Sequence, residues 1–440
     1  MLGEGRAPSD DGSELERRAS YLADRGDYAA ALEVQRLLVE ERERSLGAEH
    51  PATLTARASL AHWTGKAGDA AGARDQFAAL APVRERVPGP GHPHTLAERA
   101  SLAGWTGDAG DAAGARDQYA ALLPVRERVQ GAEHPDTLTT RHQLARWTGE
   151  AGNAPAARGQ FAALLADCQR ILGADHPGTL DTCDSLANWT WKAGDAAGAR
   201  DQYAALVSRY EQVLGPEQPD TLHARLTLAM TTFDARDAAG ARDLCAVLLP
   251  VAEQVLGPDS EITLAVRACS ATCTREAGDP AGARDLCAAL LLVRERVSGP
   301  QHPDTLGVRA NLARWTGEAG EAAAARGQFA ALLADCQQVL GADHPWTRDT
   351  RDGLAYWTEK AANGTESGVD LLALVSAPDG PTAVRRPVRS NRRPSCSGRS
   401  AYSLPRCALW ALSHRRAVVR NPARSATSWG RLAASETVRR

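Results

Sequence analysis

The stretch HPDTLTTRHQLARWTGEAGNAPAARGQFAALLADCQRILGAD, residues 134–175, determines the fold of this chain. Its opening pentapeptide recurs, intact or degenerate, at residues 50, 92, 134, 176, 218, 260, 302 and 344, a spacing of 42 residues each time. Residues 134–175 and 302–343 match at 34 of 42 positions, which indicates that a block of four units was duplicated. Similarity at a fixed period of roughly 20–50 residues is the signature of a repeat architecture.

Each unit predicts two helices. In residues 134–175 the first spans Asp136–Gly152, with Asp136 or Thr137 as the N-cap, because a short polar side chain there can accept bonds from the free amides of the first turn. The second spans Asn153–Leu172. Apolar residues follow both at helical spacing, and neither helix can bury its apolar stripe alone. Stacked pairs that share a continuous core therefore follow from the sequence.

The pattern inside each unit resembles the tetratricopeptide repeat, in the longer form found in kinesin light chains. In the third copy the resemblance rests on Leu144-Ala145, the turn at Gly152, the small residue Ala157 and the aromatic Phe161. The resemblance covers residues ~13–361. The chain is also similar to Arg- and Ala-rich arrays of actinobacteria. The tetratricopeptide resemblance implies an all-α fold, a right-handed α-solenoid of about eight units. It also implies a non-catalytic protein–protein interaction scaffold that holds a peptide or partner helix in a concave groove.

An Arg recurs early in the first helix, where many members of that family carry a large apolar residue. The positions are Arg57, Arg99, Arg141, Arg225, Arg267, Arg309 and Arg351. Such a ladder could bind an acidic or C-terminal peptide, since a guanidinium forks onto carboxylates. The alternative is an internal ion pair within or between units, which we favour because evenly repeated residues usually serve the repeat itself.

A second column of the first helix changes its chemistry from unit to unit, as a tuned binding surface would. It contains His62, Arg146, Asn188, Met230, Arg314 and Tyr356. The candidate partner-binding residues are therefore Arg57, Arg99, Arg141, Arg225, Arg309, His62, Arg146, Asn188, Arg314 and Tyr356.

Aromatic residues are lost from copies five and six. Thr231 and Cys273 stand where other units have Trp, and Cys245 and Cys287 replace the Phe or Tyr of the second helix. We expect the array to be least stable there, at a candidate hinge. Cys269 shares a helix face with Cys273, so a zinc site is conceivable, but thiols in core positions act as small apolar fillers and we predict no metal.

Six loop His precede Pro without a second metal ligand nearby. They are His50, His92, His134, His176, His302 and His344. A metal site needs three or four converging ligands, so we expect these side chains to cap the end of the second helix instead.

The net charge of -3 averages two unlike segments. Residues 1–376 carry -15 and residues 377–440 carry +12. We predict a disordered N-terminus at 1–12, the array at 13–376 with a capping helix at 366–376, and a disordered Arg-rich tail at 377–440. Nucleic acid binding is possible only through that tail. A further alternative is a regulatory sensor that works with a separate NB-ARC-type signalling ATPase.

Other classes find no support in the sequence. No run of ~20 apolar residues predicts a membrane span, and no secretory signal opens the chain, so we expect a cytoplasmic location. The chain has no GxxxxGK[ST], GxSxG or HExxH motif. We therefore predict a protein or peptide partner, with no enzyme activity, cofactor or small-molecule substrate.

Overall fold

The computed structural model describes residues 11–373, which form seventeen α-helices and no strand. The predicted Arg-rich tail and nearly all of the predicted disordered N-terminus lie outside these residues. The first helices of the pairs are α1 (Asp11–Asp24), α3 (Pro51–Lys66), α5 (Pro93–Asp108), α7 (Pro135–Glu150), α9 (Pro177–Lys192), α11 (Pro219–Asp234), α13 (Glu261–Glu276), α15 (Pro303–Glu318) and the final helix α17 (Pro345–Ala373). The second helices are α2 (Tyr28–Leu46), α4 (Ala70–Arg86), α6 (Ala112–Gln130), α8 (Ala154–Ile171), α10 (Ala196–Val213), α12 (Ala238–Leu256), α14 (Pro280–Ser298) and α16 (Ala322–Val339).

The repeated helix pairs confirm the predicted all-α solenoid class. They divide into two compact units, residues 11–202 and 203–373, with the boundary inside α10. Helix α17 continues unbroken to Ala373, through most of the range 366–376 in which we predicted a capping helix, and residues 374–376 lie outside the described range. No helix in the described range is long and apolar enough to cross a membrane.

The loop His side chains cap the first helices, which corrects two of our predictions. In α7 the N-cap is His134 rather than Asp136 or Thr137, and His134 Nδ1 accepts the amide of Asp136 at 3.1 Å. The His therefore serves the start of the next helix and not the end of the preceding one. The Pro that follows occupies the first helical turn, where its missing N–H is not needed.

The Thr of the same motif is hydrogen-bonded to the loop that precedes the first helix. Thr179 is fully buried, and its Oγ1 donates to the carbonyl of Gly173 at 2.7 Å. Equivalent bonds join Thr53 to Gly47, Thr221 to Gly215, Thr263 to Gly257 and Thr347 to Gly341. In most copies the pentapeptide therefore combines a helix cap, a helix start, a hydrogen bond to the preceding loop and a core Leu. The Thr137 and Thr305 hydroxyls differ, since they are buried without a hydrogen-bond partner among the described residues.

The core of each pair is closed by a residue of the next pair. Ala145 of α7 and Ala157 of α8 are fully buried and share a cluster with Phe161, because small residues let the two helices approach closely. Trp189 of the following first helix completes this cluster. The same arrangement places Trp105 with Phe77, Trp147 with Tyr119 and Trp357 with Phe329. The repeated Trp therefore connects successive pairs, and we call each such contact a Trp joint.

Each of these Trp rings lies against a Gly of the preceding first helix. A Cβ added to Gly149 would come within 2.3 Å of the Trp189 ring, so only Gly allows the two helices this approach. The other pairs are Gly65 with Trp105, Gly107 with Trp147 and Gly317 with Trp357. In copy five Phe233 replaces the Gly, and in copy six Cys273 replaces the Trp. At this contact the large and the small residue have therefore changed places.

Candidate functional site

Most residues of the Arg ladder lie in internal ion pairs. Arg141 Nη1 is 2.8 Å from Asp167 Oδ2 of the adjoining second helix, and Arg225 Nη2 is 2.7 Å from Glu211 Oε1. Arg57 pairs with Glu43, Arg267 with Glu253 and Arg309 with Asp335. Arg99 is half-buried at the equivalent position of α5. The geometry is that of the internal ion pair which we favoured, and these side chains connect first helices to second helices.

The variable column lies beside the Trp joints. The His62 ring packs edge-on against Trp105 with centroids 5.8 Å apart, and the Arg146 guanidinium lies 4.4 Å from the centroid of Trp147. Tyr356 packs edge-on against Trp357 and is 43% exposed. Residues of this column therefore vary around a constant aromatic support.

The remaining members of this column are less exposed. Met230 is buried, and Asn188 is half-buried. Arg314 is also half-buried, and burial lowers the pKa of its guanidinium. The column consequently supplies different amounts of accessible surface from one pair to the next.

A cavity of about 270 Å³ lies between α3 and α5, with residues of α4 at its base. His62 is the predicted site residue that lines it, whereas Arg57 and Arg99 do not. Burial, with a smaller contribution from Lys66, lowers the pKa of His62 to about 4, so this imidazole is neutral at pH 7. The remaining lining residues are Thr55, Ala58, Ser59, Trp63, Phe77, Arg84, His94, Ala97, Glu98 and Ser101.

The charged residues of this cavity were missed by the sequence analysis. Arg84 Nε donates to Glu98 Oε1 at 2.8 Å, and the side chains are only 3% and 9% exposed. Burial raises the pKa of Glu98, and Arg84 opposes that shift. Two further Arg of this second-helix column, Arg126 and Arg294, are also buried. The available signal was that Cys168 and Tyr210 occupy the same register position, which marks the column as an interior one.

A second polar contact joins α7 to α9. His142 Nε2 is 3.2 Å from Ser185 Oγ and 3.3 Å from Asp181 Oδ2, and the imidazole packs edge-on against Phe161. His142 is buried, at the register position of Ala58 and Ala100. Buried polar contacts thus occur at more than one kind of helix interface, although no motif in the sequence identified this one.

The Cys of copies five and six line the interior. Cys245, Cys269 and Cys273 are almost fully buried, and the last two have sulfurs 3.9 Å apart. Burial raises the pKa of the nearby Cys287 thiol to about 12. Among the described residues no group of three or more His, Cys, Asp or Glu is arranged to hold a metal ion. The thiols occupy the space that aromatic rings fill in other pairs.

The family model of the tetratricopeptide repeat matches most of the described chain. The matched segments are residues 15–52, 53–94, 137–178, 179–220, 221–261, 272–304 and 305–345. Together they make up more than half of the sequence. No curated protein matches the sequence.

Several solved structures are similar to this chain. The apo form of the quorum sensor NprR from B. thuringiensis is 12% identical, with a TM-score of 0.53, and the match covers 74% of this chain and 87% of that chain. A Podosopora anserina protein described as having "kinesin light chain nearly identical TPR-like repeats" is 22% identical, with a TM-score of 0.43, over 48% of this chain and 98% of that chain. BtubC from P. vanneervenii is 15% identical, with a TM-score of 0.44, over 57% of this chain and 94% of that chain.

Proposed function

Because the chain belongs to the tetratricopeptide repeat family, we propose that it is a non-catalytic scaffold that binds a peptide or partner helix along its first helices. Members of this family are generally protein-interaction scaffolds. The observation that supports the proposal here is the cavity between α3 and α5, which opens beside the variable column at His62. Its lining combines apolar side chains, Trp63 and Phe77 among them, with several polar ones, and concave sites with convergent polar groups are where ligands usually bind.

The surrounding architecture supports the same proposal. The Trp joints and the internal Arg pairs fix the first helices, so their outward positions can change without loss of the fold. His62, Arg146 and Tyr356 differ in charge and shape but each contacts a Trp of the constant frame. A constant frame with variable contacts suits the recognition of one particular partner.

Peptides selected from a random library on the full chain test this function. Ala97 is exposed and lines the cavity, so Ala97→Trp should obstruct it, whereas Leu37→Trp changes an exposed position on the second helix α2. We expect fluorescence anisotropy to show that Ala97→Trp weakens the selected peptides by about tenfold or more and that Leu37→Trp does not. Equal effects of both variants, or an effect of Leu37→Trp alone, would place binding elsewhere.

A further inference from the structure

One carboxylate oxygen in the cavity between α3 and α5 lacks a hydrogen-bond donor. Glu98 is 8% exposed, and its Oε1 accepts from Arg84 Nε. Its Oε2 is buried and accepts no hydrogen bond from any residue within the described range. A buried polar atom without a partner is destabilising, and more so when it is charged. The cavity therefore contains an acceptor that a bound donor would satisfy.

The fold itself does not require this carboxylate. At the positions equivalent to Arg84 and Glu98, the fourth copy of the pentapeptide uses Cys168 and Thr182, with Sγ and Oγ1 3.8 Å apart. Cys336 and Thr350 repeat the same neutral contact at 3.9 Å. The chain therefore has a stable solution for this position without any charge. Glu98, with its unpaired buried oxygen, is therefore found in this cavity and not at the equivalent positions of those two copies.

The lining of the cavity selects the group that fits. Ala58, Ala97 and Phe77 offer apolar walls for a stem, and Ser59 and Ser101 add neutral polar groups. A cationic head group would meet the Glu98 carboxylate, and the Arg84 guanidinium that pairs with this carboxylate also lines the cavity. A long aliphatic side chain with a cationic tip combines these two requirements.

We propose that this cavity binds a lysine or arginine side chain of the partner peptide, whose ammonium or guanidinium donates to the Glu98 carboxylate. The inference rests on the proposed function, since the side chain belongs to a peptide bound along the first helices. It reverses the charge preference that the Arg ladder suggested. Glu98 also forms an internal ion pair, with Arg84, but one of its carboxylate oxygens accepts no hydrogen bond within the described range.

Saturation-transfer NMR on the full chain tests the proposal with small probes. Nα-acetyl-arginine amide and Nα-acetyl-lysine amide carry the cationic heads, and Nα-acetyl-citrulline amide is the neutral isostere of the former. We expect saturable binding of at least one cationic probe and at least about tenfold weaker binding of citrulline, since a hydrogen bond to a charged group is lost. Equal binding of the arginine and citrulline probes without lysine binding, or no saturable cation binding, would overturn the proposal.

Three variants assign the effect to Glu98. Glu98→Gln keeps the shape of the side chain, and Arg84→Cys with Glu98→Thr installs the pair found at Cys168 and Thr182, so circular dichroism should show both folded. We expect both to weaken the bound cationic probe by about tenfold or more. Glu49→Gln makes the same charge change at an exposed residue outside the cavity and should leave the affinity unchanged.

Unchanged affinity in Glu98→Gln would overturn the assignment, as would an equal loss in Glu49→Gln. The peptides selected on the full chain distinguish failure of this proposal from failure of the proposed scaffold function. If they still lose affinity in Ala97→Trp while no cationic probe binds, the scaffold stands and only the preference for a cation fails.

Discussion

At the scale of single residues, the repeated Trp and the Gly beneath it determine how neighbouring pairs meet. Gly149→Ala would place a methyl group 2.3 Å from ring atoms of Trp189, which is 4% exposed and has little room to move. Overpacking of this kind costs about 1–3 kcal/mol. We expect Gly149→Ala to lower the urea midpoint followed by circular dichroism. Gly159→Ala is the control, because that Gly has open space around it, and replacing a helical Gly with Ala should stabilise the helix by up to about 1 kcal/mol.

The half-buried imidazole of His62 should make stability depend on pH. Its pKa in the folded chain, lowered to about 4 by burial and then by Lys66, lies below the 6.5 of an unperturbed His. The unfolded chain therefore binds the proton first as the pH falls, and stability is lost from about pH 6.5 downward. Between pH 7 and pH 5 this residue alone should cost up to about 2 kcal/mol.

Urea midpoints of the wild type and His62→Gln at the two pH values measure this contribution. The wild type should lose more stability on acidification than the variant, because Gln does not titrate. The same loss in both proteins would show that protonation of His62 is not coupled to unfolding.

The residues that could not be predicted from the sequence belong to types that are usually exposed but are buried here. Arg84 is usually an exposed type of residue, yet it is 3% exposed because Glu98, fourteen positions along the chain, receives its guanidinium. A single copy of the repeat gives no sign of this. Comparison down the column, where Cys168 stands in the place of Arg84, would have shown an interior position. By contrast, Ala145 and Phe161 were predicted correctly because apolar residues at helical spacing permit one simple packing.

At the scale of the helix, the His-Pro start was only partly predictable. Pro135 fixes the boundary from sequence alone, but the cap depends on the backbone, since His134 is extended and its Nδ1 faces the second amide of the helix. Asp136 is a better general N-cap residue, which is why it was preferred in the prediction. It lies two residues too late, in the first turn of the helix that His134 already begins.

Removing this cap should cost a measurable part of the helix stability. His134→Ala loses the bond to the amide of Asp136, and loss of an N-cap bond costs about 0.5–2 kcal/mol. His134→Ser should restore most of it, because Ser260 caps α13 by accepting the amide of Thr263. Gln218→Ala is the matched control, since Gln218 makes no side-chain cap bond to α11. Urea midpoints should rank Gln218→Ala above His134→Ala, and the opposite order would contradict the capping role.

At the scale of the whole molecule, duplicated sequence has kept duplicated contacts. The Arg141–Asp167 and Arg309–Asp335 pairs have nearly the same length, 2.8 and 2.7 Å. The Cys–Thr contacts that follow them along the chain also agree, at 3.8 and 3.9 Å. Identical local sequence produces identical local packing because each pair contacts only its neighbours. The 42-residue period therefore predicts the contacts that every pair shares. Properties that depend on unlike neighbours, such as the Glu98 cavity, can be found only in the structure.

The same nearest-neighbour principle indicates where the array should open first. The core of copy five has Cys245 and Cys273 where other copies have two aromatic rings, and its helix-to-helix turn holds Arg236 at φ 72°, a conformation that other copies assign to Gly. Less buried apolar area and a left-handed non-Gly residue each reduce local stability. The first helices α11 and α13 offset part of this by contacting each other more extensively than α15 and α17 do.

We therefore expect hydrogen exchange of the full chain to be faster in α11 and α12 than in α15 and α16, whose core contains Phe329 and Trp357. Arg236→Gly should slow the exchange of α11 and α12 by relieving the backbone, at about 1 kcal/mol, while leaving α16 unchanged. Equal protection of both pairs in the wild type would mean that the closer approach of α11 and α13 fully replaces the missing rings, and that copy five is not the weak point of the array.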